Sequence, residues 1–110
     1  MTLQEFKENL ITLEVPVYHI LAAPEEACPC LCWQELEGTT LSGDNLPIRL
    51  AQIQLDYFTE EEYDTAPDAI EEAVFTMDCS MVKNAFSYDE SRSEWRTTWT
   101  VEFVEARANG

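Results

Sequence analysis

Residues 49–58 alternate strictly: Ala51, Ile53, Leu55 and Tyr57 fall on one side, Gln52, Gln54 and Asp56 on the other. A repeat of two residues marks a strand with one face buried and one face towards water. No glycine or proline interrupts residues 48–58, and β-branched and aromatic residues are among its apolar set. Such a stretch suits a central strand with which other segments pair. At Thr59 the alternation gives way to Glu60, Glu61, Glu62 and Asp64, so the chain must leave the sheet there.

The flanking segments suggest what packs on that strand. Thr2 and Glu5 fit the reciprocal S/T-x-x-E helix cap, and Leu3, Phe6, Leu10 and Leu13 recur at helical spacing, leaving Gln4, Glu5, Glu8 and Asn9 for solvent. This first helix must end before Pro16. Val17, Tyr18, His19 and Ile20 then form either a short edge strand or the extended entry to a loop. A loop over 22–29 precedes a second strand over 30–37, with Leu31 and Trp33 on one face and Cys32 and Gln34 on the other. Residues 38–47 are rich in Gly, Ser, Asp, Asn and Pro and make a loop too long for a tight hairpin.

Beyond the central strand, Thr59 and Glu62 offer another cap, but Pro67 places the main helix start between Asp64 and Pro67. Its apolar stripe is Ile70, Ala73, Val74 and Met77, with Glu71 and Glu72 facing outward and Phe75 off the stripe. Phe75 there marks either a subunit contact or the rim of the core. Residues 79–88 read as a strand with Val82, Phe86 and Tyr88 on one face. After the polar turn 89–93, Trp95, Trp99, Val101 and Phe103 alternate with Arg96, Thr98, Thr100 and Glu102, which completes a hairpin. The expected fold is therefore a single α+β domain over 1–110: a mostly antiparallel sheet of four or five strands with two helices on one face.

Charge limits the functions such a domain can have. Among 110 residues, 22 are acidic and six basic, a formal charge of −16, yet 45% are apolar and 11% aromatic, so the acids sit on a folded surface. That field opposes bare nucleic acid and anionic lipid, and it favours basic partners or divalent cations. No segment is long and apolar enough to span a bilayer, and the first residues lack the pattern of a signal peptide, so a cytoplasmic chain is expected.

Several side chains invite chemistry. Cys28, Cys30 and Cys32 form C-x-C-x-C, which puts three thiols on one face of an extended strand rather than at the C-x2-4-C spacing of closed zinc sites. His19 would be the fourth ligand if its strand lay alongside; packed small side chains are the simpler alternative, and Cys79 reads as a core residue. Local spacing suggests no carboxylate or nucleophile as a partner for His19. Ser42, Gly43, Asp44 and Asn45 lack the lysine of a phosphate loop and the spaced oxygens of a calcium loop. The acids 60–64 are the place for a metal-dependent hydrolase, but an acidic first turn that complements the helix dipole explains them more simply. Tryptophans on a strand can stack bases, but only beside a cationic groove that this chain has no cations to build. No catalytic residues, cofactor or metal are expected.

The ordered set 11–19 (ITLEVPVYH), 31–35 (LCWQE), 43–45 (GDN), 53–59 (IQLDYFT) and 62–64 (EYD) resembles small prophage-encoded proteins of the head-to-tail region, namely the tail-completion, tail-terminator and joining proteins of long-tailed phages. That family has a proline-rich approach to the Trp-containing strand where this chain has Cys28, Pro29 and Cys30. The resemblance covers about the first two-thirds of the chain. It implies a structural subunit that forms a ring, six-fold by expectation, at the end of the tail tube. Its partners would be other copies of itself, the tube protein and the head connector, first in the host bacterial cytoplasm and then in the virion. A subunit of this charge would line a DNA channel without trapping the duplex. Leu41, Asp44, Asn45, Arg49, Phe75, Arg92 and Arg96 are the expected subunit-contact residues, the arginines bridging acids across interfaces. The alternative is an acidic DNA mimic that inhibits a basic nucleic-acid-binding partner.

Overall fold

The computed structural model describes residues 2–19, 29–36 and 48–106, the side chains of 48, 49, 105 and 106 excepted. In chain order the elements are helix α1 (Leu3–Ile11), strands β1 (Val17–His19), β2 (Cys30–Glu35) and β3 (Ile48–Thr59), helix α2 (Ala66–Phe75), and strands β4 (Ser80–Asp89) and β5 (Glu94–Ala106). The strands form one sheet in the order β1-β2-β3-β5-β4, which puts β3 in the middle as its alternation predicts. Three of the four pairings are antiparallel; β1 lies parallel to β2, with Val17 opposite Leu31 and His19 opposite Trp33. The fold is α+β with two helices and five strands, as expected, in a sheet that the β1–β2 pair makes mixed.

Both helices cover the same face. The register sets Trp33 opposite Leu55, Leu55 opposite Trp99, and Ala51 opposite Phe103, so one row of apolar side chains crosses β2, β3 and β5. Phe6 of α1 lies over that row, with ring centroids 6.1 Å from Trp33 and 5.5 Å from Phe103. Ile70 and Val74 of α2 are buried in the same cluster, and Leu3, Leu13 and Met77 pack at its margin. Each fully buried Leu, Ile or Val here contributes about 1.5–3 kcal/mol relative to exposure.

The helix starts follow local chemistry. Thr2 Oγ1 accepts from Glu5 N at 3.1 Å while Glu5 Oε1 accepts from Thr2 N at 3.2 Å, the reciprocal cap anticipated from the sequence. At α2 the Thr65 side chain makes no capping bond; Asp64 Oδ1 accepts from Ala66 N at 2.8 Å instead, and Pro67 falls within the first turn, where its missing N–H costs nothing. Thr59 does not form the box expected with Glu62. Its hydroxyl accepts from Glu61 N and donates to Asp64 Oδ2.

Two further expectations need correction. Glu71 does not face outward: it is half-buried against the sheet, where its Oε1 accepts the Trp99 indole N–H at 2.9 Å and lies 3.4 Å from Lys83 Nζ. An acid on the inner side of α2 is tolerable because both partners are supplied by the strands beneath it. Val82, Phe86 and Tyr88 do not share a face either. The register passes from Lys83 opposite Trp99 to Ala85 opposite Thr98, leaving Asn84 as an extra residue. That bulge reverses the alternation, so Val82 pairs with Thr100 on the open face whereas Phe86 and Tyr88 pair with Thr97 and Trp95 on the helix face.

Candidate interaction surfaces

The open face of the sheet carries a polar network centred on Asp56. Its Oδ1 accepts from Arg96 Nε at 3.0 Å and Thr98 Oγ1 at 2.6 Å, and its Oδ2 accepts from Gln54 Nε2 at 2.8 Å. A buried carboxylate in mid-sheet is tolerated because it is paired with a guanidinium and hydrogen-bonded by two neighbours. Two residues along β3, Phe58 lies near two cations: the guanidinium carbons of Arg92 and Arg96 stand 5.5 and 5.6 Å from its ring centroid. Arg92 Nε also faces Glu94 Oε2 at 3.2 Å, as an ion pair without hydrogen-bond alignment, and Glu94 is only 3% exposed. Towards β2, Cys30 and Cys32 are buried on this face, packed with Tyr18 and Phe58. At its other end, Val82 and Val104 are exposed.

At the edge made by β1, His19 stacks on Trp33 with ring centroids 3.8 Å apart and an interplanar angle of 9°. Its Nε2 is 2.6 Å from Glu35 Oε1. The sequence spacing suggests no carboxylate for this histidine; the parallel pairing of β1 with β2 brings one. The stack and the contact with Glu35 fasten a strand of three residues that backbone bonds alone would hold weakly.

Asp64 joins β3 to α2. Burial pushes its carboxyl pKa up, but hydrogen bonds from Ala66 N, Thr59 Oγ1 and Tyr57 Oη outweigh that, and the net pKa is lowered. Glu60, Glu61 and Glu62 precede α2 rather than forming its first turn, whose acid is Asp68, so the expected dipole explanation does not hold for them. Among the described residues no group of three or more His, Cys, Asp or Glu side chains is placed to hold a metal ion. Burial, and then the charge of Asp78, raise the Cys79 thiol pKa, and its Sγ–H points to Val74 O at 3.4 Å. In the hairpin turn, Ser91 donates to Asp89 through Oγ and N and lowers the pKa of that carboxyl, the turn closing through Ser93 at a positive φ of 53°.

The expected contact residues divide into three groups. Leu41, Asp44 and Asn45 lie outside the described residues, as do the rest of the 38–47 loop and Cys28. Arg49 sits on β3 opposite Glu105, its side chain not described. Of the others, Phe75 is 63% exposed, outside the core rather than at its rim, whereas Arg92 and Arg96 pair with acids of their own subunit. Sequence reasoning missed the aromatic group formed by Phe86, Trp95 and Tyr88. Trp95 lies between the other two, with centroid distances of 5.3 and 4.8 Å, and Phe86 and Tyr88 remain about half exposed. The register shift at Asn84 conceals this grouping in the sequence.

Among the described residues no helix is long and apolar enough to cross a membrane. No protein-family model matches the chain, and no curated protein matches it.

Proposed function

We propose that the protein is a structural subunit of the phage head-to-tail region, forming a ring that ends the tail tube and joins it to the head. The observation that carries this reading is a sheet covered, among the described residues, by helices on one face, whose other face presents exposed Val82 and Val104 as well as the Asp56 network. A face that carries both exposed apolar side chains and satisfied polar ones is what a subunit buries against a neighbour without unfolding alone. The ordered resemblance over the first two-thirds of the chain supports the same reading, as does the formal charge of −16, which keeps DNA moving through a channel. The role is architectural, and the partners are other copies of the chain, the tube protein and the connector, in the virion neck.

Gold-labelled antibodies against the protein, applied to particles induced from a strain carrying its gene, test this. Label at the head-to-tail junction, with unjoined heads and tails when the gene is deleted, is the expected result. Particles that assemble and join normally without the gene would overturn the proposal. Release of a basic enzyme from duplex DNA by the purified protein would favour the DNA-mimic alternative instead.

A further inference from the structure

We propose that the cleft between the start of α2 and β4 receives an arginine-bearing extended segment of a different protein. This inference is independent of the ring reading: it concerns the helix face of the sheet and follows from three features that meet there. A cleft of about 130 Å³ opens where α2 stops short of the outer strand, with Phe86 and Trp95 on one wall. Glu61, Glu62 and Asp68 also line it, with Asp64, whose oxygens already accept from Tyr57, Thr59 and Ala66. The described cation in it, Lys83, is already committed to Glu71. Beyond the cleft runs the outer side of β4, which has no strand partner among the described residues.

Each feature selects for part of the same ligand. The half-exposed ring of Phe86, set edge-on against Trp95, offers a surface in the cleft on which a planar guanidinium stacks. The carboxylates of Glu61, Glu62 and Asp68 accept guanidinium N–H groups in pairs, a geometry that an ammonium does not match. The outer backbone of β4 accepts an extended chain by strand addition, and the Asn84 bulge divides that edge into two regular parts, of which 85–89 includes Phe86 of the cleft.

A second copy of this chain is a poor occupant. It carries six basic residues, and Lys83, Arg92 and Arg96 are held by acids of their own subunit, so it would bring mainly acid to acid. Nucleic acid is excluded on the same ground.

The test is a titration of the 15N-labelled full chain with a capped eight-residue peptide alternating arginine and threonine, and with its citrulline counterpart. The expected result is saturable shifts confined to residues 59–68 and 83–97, with the citrulline peptide silent. Phe86→Ser should weaken binding ~2- to 5-fold, the loss of one exposed cation–π contact. The set Glu61→Gln, Glu62→Gln and Asp68→Asn should weaken it by a similar factor, whereas Glu8→Gln, Glu14→Gln and Asp78→Asn, which remove the same charge elsewhere, should leave it unchanged. Equal weakening by both charge sets, or shifts spread over the whole surface, would overturn the proposal by showing general attraction only. So would concentration-dependent shifts at β4 in the absence of peptide, which would assign that edge to a second copy.

Discussion

Trp99 on β5 and Glu71 on α2 are joined across the helix–sheet interface by a hydrogen bond of 2.9 Å from the indole N–H to Oε1. Trp99 is fully buried, so removal of the Glu71 side chain takes away the acceptor of a buried N–H. Glu71→Ala should therefore destabilise the fold by about 1–3 kcal/mol, the cost of an orphaned buried donor. Glu71→Gln retains an acceptor and should cost less than half as much. Urea midpoints of the two variants decide the point; equal midpoints would remove the bond from the account of how α2 is seated.

Asp64 should impose an acid dependence on stability. Its pKa is lowered in the folded state from an ordinary value of 3.8, so its stabilising contribution is complete above that value and is lost as pH falls through the lower folded value. Protonation of the many surface acids relieves repulsion over the same range and works in the opposite direction. The difference between wild type and Asp64→Asn isolates the local effect. In urea titrations that difference should be greatest near neutrality and shrink below about pH 4. A constant difference down to pH 2 would contradict it.

The bulge gives an unusual prediction for a deletion inside a strand. Because Asn84 is the residue left over between the pairs Lys83–Trp99 and Ala85–Thr98, its removal keeps every other partner in register. The side chain also gives up its hydrogen bond to Thr100. The deletion variant should fold, lose about 1 kcal/mol, and retain proton–proton contacts between the Trp95 ring and those of Phe86 and Tyr88. Loss of those contacts would mean that the two halves of β4 slide once the extra residue is gone.

These cases also show what the sequence conveys and what it conceals. Strict alternation at Ala51, Ile53, Leu55 and Tyr57, and helical spacing at Phe6 and Leu10, are visible because each follows one period without interruption, and their burial agrees. Phe86 and Tyr88 mislead because one added residue reverses which face they occupy, and nothing in the local composition marks Asn84 as that residue. Glu71 misleads for another reason: an acid in a helix defaults to solvent, and its inward position depends on an indole N–H and an ammonium from strands that follow it in the chain. The pairing of His19 with Glu35 is hidden in the same way, since a parallel edge strand brings together residues that no short motif connects. The aromatic wall of the cleft and its acids come from the hairpin and from the start of α2, and only the fold sets them side by side.

Mass in solution by light scattering tests the ring most directly, measured over a wide concentration range with and without magnesium and added salt, because self-repulsion at −16 weakens contacts that screening restores. The account predicts a species of six times the subunit mass that grows with concentration and is promoted by magnesium or salt. A monomer under every one of these conditions would contradict it.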